Sequence, residues 1–158
     1  MILDKIADYT TNLLSYDETK VIISRENATQ KTFSDNYIVI DTLSPANPIG
    51  STRMYDYENE KETFITLFNA KITLEFYGSN GYDNAYKFIN LQNSQLARDL
   101  QRTYEITLFK DLTINNLKQV VGNRYFNRFE IEITVQYNII TIIDTLRVES
   151  IPVEYIKD

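Results

Sequence analysis

The chain has 158 residues, 43% of them apolar, which points to one domain spanning 1–158 and excludes a disordered polypeptide. No apolar run approaches the ~20 residues of a membrane span, and the acidic start (Asp4, Asp8) lacks the basic and apolar regions of a signal peptide. A formal charge of −6 argues against a surface that grips nucleic acid, and the absence of His and Cys removes the commonest general base, disulfides and thiolate metal sites, leaving the redox compartment undetermined.

In chain order, Ile2, Ile6, Tyr9 and Leu13 recur at helical spacing and predict an amphipathic N-terminal helix. Asp17 to Lys20 reads as a polar turn, Val21 to Ile23 as a short strand, and Arg25 to Asn36 as a loop. Tyr37 to Leu43 alternates around Ile38 and Ile40 and predicts a strand; Pro45, Pro48 and Gly50 make Ser44 to Ser51 a loop. Thr52 to Glu58 reads as a strand turning at Asn59-Glu60 into a long strand, Thr63 to Tyr77, which Gly78 ends. After a cap at Ser79 or Asn80, the residues Tyr82, Ala85, Phe88 and Ile89 form one helical stripe. The stripe continues at Leu96 and Leu100, with a break and a second cap offered by Asn93-Ser94. Glu105 to Phe109 and Leu112 to Leu117 predict shorter strands, and Gly122-Asn123 a turn into a second long strand, Arg128 to Ile143. The tail, Leu146 to Ile156, reads as extended, and Pro152 confines it to a sheet edge. The order gives an α+β fold: a mainly antiparallel sheet with long strands, packed on one central helix plus an N-terminal helix.

The two long strands carry the most information. Each is two to three times the usual length, and fifteen residues span ~50 Å at 3.3 Å per residue. A domain of this size has a radius of gyration of roughly 15 Å, so such strands bend sharply or leave the globule as a ribbon. Antiparallel pairing that sets Glu75 beside Arg128 and Lys71 beside Glu132 matches opposite charges. That register brings Ile65 and Leu67 to the same end as Ile140 and Ile142, all on the face that is polar elsewhere. A ribbon end that is apolar on both sides needs cover on both sides, either from the N-terminal segment or from another subunit.

Catalytic chemistry is poorly supported. Asp56, Glu58, Glu60 and Glu62 form the densest acidic cluster, but they flank a turn and lack the calcium-loop pattern with its central glycine, so a solvated hairpin tip is expected. Tyr77-Gly78-Ser79-Asn80-Gly81 is a glycine-bearing strand-to-helix turn without a nucleotide-binding fingerprint, and Ser94 and Lys118 suggest no dyad. No active site and no cofactor are expected. An unknown hydrolase using Asp56, Glu58 and Glu62 is a distant alternative. A small-molecule-binding α+β domain, closing on the Tyr82 to Leu100 helix, would instead require a sizeable apolar cavity.

Several short motifs occur in a telling order: Arg25-Glu26-Asn27, Tyr37-Ile38-Val39-Ile40, Leu74-Glu75-Phe76-Tyr77-Gly78 with Tyr82-Asp83-Asn84-Ala85, and Asn123-Arg124-Tyr125-Phe126 with Arg128-Phe129-Glu130-Ile131, ending at Gln136-Tyr137-Asn138. In these the chain resembles the neck or tail terminators of tailed phages, although the loop after Asn27 lacks the expected prolines and Tyr125 or Phe126 stands where Trp is expected. The resemblance implies a structural, non-enzymatic virion protein, assembled in the host cytoplasm, that forms a homo-oligomeric and commonly hexameric ring. Such a ring ends tail-tube growth and joins tail tube to head connector, while DNA passes through its lumen without specific binding and no membrane is involved. A connector stopper or baseplate adaptor is the neighbouring alternative. A ring uses heterologous interfaces, and the apolar ribbon end (Ile65, Leu67, Ile140, Ile142) is placed at one. Val148, Ile151, Val153 and Tyr155 of the C-terminal edge are further contact candidates, as is the N-terminal helix.

Overall fold

The computed structural model describes residues 1–23, 36–109, 112–117, 119–121 and 124–145. Helix α1 (Ile2–Leu14) buries Leu3, Ile6, Tyr9 and Leu13, the stripe its periodicity dictates. A 3₁₀ turn, Glu18–Lys20, is capped by the Asp17 carboxylate and leads into β1 (Val21–Ile23). Strands β2 (Tyr37–Asp56) and β3 (Lys61–Tyr77) form a long antiparallel hairpin. Helices α2 (Gly81–Leu91) and α3 (Gln95–Thr103) follow, separated at Asn93-Ser94 because the Ser94 hydroxyl accepts the Ala97 N–H at 3.1 Å and starts a new helix. Four short strands, β4 (Ile106–Leu108), β5 (Thr113–Asn116), β6 (Gln119–Val121) and β7 (Arg124–Phe126), precede the last long strand, β8 (Arg128–Asp144).

The main sheet runs β1-β2-β3-β8-β4, and β5 pairs with β8 on the same side as β4 but nearer its start. Among the described residues only β1 and β2 run parallel; β6 and β7 make a separate antiparallel pair. The result is the expected α+β architecture. One sheet face is a ladder of apolar rows: Ile38, Phe76 and Phe129; Ile40, Leu74 and Ile131; then Ile72 with Ile133 and Ala70 with Val135. Helices α1 and α2 close this face. Phe88 lies between Phe76 (6.1 Å between ring centroids) and Tyr9 (6.4 Å, edge-on), and the Tyr9 hydroxyl donates to Gln92 Oε1 at 2.8 Å. The Lys87 ammonium donates to the Leu14 carbonyl at 3.0 Å and ties α2 to the end of α1.

The strand-to-helix turn requires its glycines. Gly78 adopts φ +96°, a conformation that L side chains rarely take, and a Cβ on Gly81 would lie 2.8 Å from the Phe76 carbonyl oxygen. Neither Ser79 nor Asn80 caps α2 through its side chain, contrary to expectation. The Asn36 side chain does so from outside, accepting the Asn80 N–H at 2.7 Å. A cap supplied from residues distant in sequence leaves no local signal.

Three other expectations are corrected. Ser44 to Ser51 is part of β2, interrupted by register shifts at Thr42/Ser44, Ser44/Asn47 and Pro48/Gly50. The bulge between Ser44 and Asn47 absorbs Pro45, and Pro48 stays paired with Phe68 beside the next one, tolerable because among the described residues β2 has no partner on its outer side beyond Ile40. The β3–β8 register is offset by two residues from the charge-matched one: Arg128 faces Tyr77, Glu75 faces Glu130 and Lys71 faces Thr134. A two-residue slip keeps every side chain on its face, so alternation cannot detect it. Arg128 still reaches Glu75 diagonally, Nη2 to Oε1 at 2.5 Å. In the helical stripe, Ala85 and Phe88 are buried, but Tyr82 and Leu96 are exposed. Residues 24–35, 122–123 and 146–158, which hold the expected loop, turn and C-terminal edge, lie outside the described residues.

Candidate assembly surface

Past Phe68 and Tyr137 the sheet loses its helical cover, and β2, β3 and β8 continue as a three-stranded arm from Gly50, Leu67 and Asn138 to the tip at Asp56, Lys61 and Asp144. Seven residues per strand extend it about 23 Å at ~3.3 Å per residue. The tip is a tight turn organised by Asp56, whose Oδ1 accepts the Glu58 N–H (3.0 Å) and Asn59 N–H (3.2 Å) and whose Oδ2 accepts from Asn59 Nδ2 (2.7 Å). These bonds to the ionised form hold the Asp56 carboxyl below the ordinary carboxylate value. Asp56 therefore builds the turn. Glu62, buried at 4% exposure, pairs with the Arg53 guanidinium, which also lies over the Phe64 ring at 5.9 Å. The acidic cluster is thus divided between a turn and an ion pair, and no group of three metal-ligating side chains exists among the described residues.

The arm register sets Ile65 directly opposite Ile140 and Thr63 opposite Ile142, with Leu67 beside Asn138. On the β2 side, Thr52 faces Ile65 and Met54 faces Thr63. One arm face therefore collects Met54, Ile65, Leu67, Ile140 and Ile142. Ile140 and Ile142 are each 60% exposed and Met54 58%, while Ile65 and Leu67 are partly buried beneath them. The opposite face carries Phe64, the stacked pair Phe68 and Tyr137 (5.8 Å), and exposed Ile139 and Ile143. Apolar side chains thus stand on both faces of the arm. The N-terminal helix packs on α2, α3, β1 and β2, and Met54, Ile140 and Ile142 remain exposed among the described residues.

Met54, Ile139 and Ile143 are surface residues that sequence reasoning missed. Met54 follows the bulges, which reverse the facing of β2: Ile38 and Ile40 point to the core side before them, Arg53 and Tyr55 after them. Ile139 and Ile143 continue the alternation of the core face, and only their position beyond the helices exposes them. Val148, Ile151, Val153 and Tyr155 lie outside the described residues.

Two other features stand out: one borders the base of the arm at Leu67 and Asn138, and the other lies at the body end. An open groove of ≈ 450 Å³ runs between α3 and β8, lined by Arg98, Arg102, Glu105, Gln136 and Tyr137 among others; it is not the enclosed apolar cavity that a small-molecule-binding domain would require. At the body end, Tyr37 and Tyr77 stack at 4.5 Å, and the Tyr77 hydroxyl donates to Glu75 Oε2 at 2.6 Å. Burial first, then the bond to Glu75, raises the Tyr77 phenol above its ordinary 10.0; burial and the Glu75 charge raise Tyr37 in the same direction. The folded protein holds these protons at a pH where the unfolded chain releases them. Their contribution to stability is therefore complete below pH 10 and declines as pH rises beyond it. Denaturant titrations at successive alkaline pH values should show this decline, and Tyr77→Phe should make it shallower.

No curated protein matches the chain. The family model for the phage neck terminator protein matches residues 2–158, essentially from end to end. An α+β body, a bare apolar arm and this full-length match place the chain in the phage neck terminator family, whose members are structural proteins of the virion's tail and neck.

Proposed function

We propose that this chain acts as a single unit that assembles into a homo-oligomeric ring at the head-proximal end of the phage tail, where it ends growth of the tail tube and joins the tube to the head connector. The observation that carries the reading is the arm. Its exposed isoleucines and Met54 stand on a ribbon that is too narrow to bury them itself. An isolated ribbon of this kind is marginal in water, and apolar cover on both faces stabilises it. The arm end bearing Ile65, Leu67, Ile140 and Ile142 is where neighbouring subunits meet, with the tail tube and connector engaged at the two ends of the ring. The C-terminal residues Val148, Ile151, Val153 and Tyr155 supply further contacts.

The acidic balance suits a conduit through which DNA passes without being held, since affinity for the phosphate backbone comes from clustered Lys and Arg. The protein works by shape and contact, within virions assembled in the host cytoplasm. Phage lacking the protein should yield tails of uncontrolled length, unjoined to heads, in electron micrographs. Tails of uniform length attached to filled heads would overturn the reading.

A further inference from the structure

Among the described residues, the arm leaves edge backbone groups as well as apolar side chains without cover. Within β8, the Thr134 and Arg128 carbonyls accept from Phe109 and Leu117 on the side away from β3, whereas on the β3 side the Thr145 N–H donates to the Glu60 carbonyl. In an antiparallel ladder the direction of the backbone groups alternates from residue to residue. Asn138, Ile140 and Ile142 therefore aim N–H and C=O away from β3. Strand β4 covers that side of β8 only as far as Tyr137, and no described residue pairs with it beyond. The opposite edge of the arm is the regular end of β2, Gly50 to Asp56, where the same alternation directs Ser51, Arg53 and Tyr55 outward. Natural proteins protect exposed edges with prolines, charges or bulges. On β2 the prolines and bulges stop at Gly50 and the charges are Arg53, paired with Glu62, and Asp56, held in the turn; on β8 a charge appears only at Asp144.

We infer that these two edges are the two halves of one head-to-tail interface, in which β8 of one copy pairs with β2 of the next and makes a continuous sheet. The inference rests on the ring reading and names its contact. The occupant is a second copy because the two edges match. Both are seven residues long, both run toward the tip, and each is level with the same β3 residues: Ile65 pairs with Ile140 on one side and Thr52 on the other, and Thr63 with Ile142 and Met54. Rotation about an axis along the arm preserves strand direction, so the pairing is parallel, and a closed ring adds no rise, so level residues meet. Ile142 then lies beside Met54 of the next copy, and Ile140 beside Thr52, which joins the apolar faces into one surface. A two-fold dimer would instead set β8 antiparallel to β8 and leave both β2 edges open.

The chain has no cysteine, so engineered pairs are unambiguous. Within one copy β2 and β8 are separated by β3, roughly 10 Å apart at ~4.8 Å per strand, too far for a disulfide. Oxidising the assembled Met54→Cys/Ile142→Cys protein should give a ladder of covalent oligomers, with neither single variant crosslinking. Ile140→Pro removes an outward N–H and spares the β3 ladder. Introduced into that pair, it should cut the crosslinked yield about tenfold, the effect of one backbone hydrogen bond left unmade, whereas Ile140→Val should not. Dimers from Ile142→Cys alone would show that β8 meets β8 and overturn the inference. A ring that forms without crosslinks from the double variant would overturn the edge pairing and leave the ring standing. A native protein that stays monomeric even on tail tubes would overturn both.

Discussion

Aspartate at both Ile140 and Ile142 is expected to abolish assembly while leaving the folded protomer almost unchanged. Both side chains are mostly exposed in the protomer, so replacing them removes little buried area and should alter stability by no more than about 0.5 kcal/mol. In an interface the same carboxylates would be desolvated against Met54, Ile65 and Leu67; Lys61, diagonal to Ile142 on that face, can pair with the one at 142 and leaves the one at 140 without a cation. One partnerless buried charge costs on the order of 3–5 kcal/mol, enough to lower association by two orders of magnitude or more. Urea unfolding and native mass measurement on the same sample separate the two effects. A variant that assembles normally would remove this face from the interface. A variant that unfolds early would mean the isoleucines serve the protomer's own fold.

Phe88→Ala should have the opposite profile. Phe88 is fully buried between Tyr9 of α1 and Phe76 of β3, so truncation opens a cavity where three elements meet. The expected loss is about 3–5 kcal/mol, a large part of the 5–15 kcal/mol typical of a domain. The midpoint of urea unfolding should fall steeply. Tyr86→Ala, two residues away and so on the opposite, exposed side of α2, should leave it nearly unchanged. Equal effects from the two substitutions would mean that α2 does not pack as described.

These two substitutions mark what was legible in the sequence. The core rows were, because alternation through Phe64–Phe76 and Phe129–Val135 assigns faces directly, and the helical stripes located α1 and α2. The arm followed from strand length set against domain size, a comparison of two lengths that needs no register. The register itself stayed hidden, since a slip of two residues preserves every facing and the charge match that favoured one pairing is met diagonally by Arg128 and Glu75. The β2 bulges were equally silent. Prolines on an unpaired edge look like a loop in sequence, so the reversal of facing that exposes Met54 beside Ile142 could not be read. Cover is likewise a property of the fold. Ile139 continues the apolar alternation of Ile133 and Val135, and nothing local records that the helices stop short of it. The capping of Asn80 by Asn36 spans 44 residues and is invisible to any local rule.

Amide hydrogen exchange, compared between the free protomer and protein in assembled tails, probes the arm most directly. Slowed exchange in tails at Gly50 to Asp56 and Asn138 to Asp144, with the body's α1 and α2 amides unchanged, is the expected result. Exchange in those two segments that is equally fast in both states would contradict an arm whose bare edges and faces are closed by assembly.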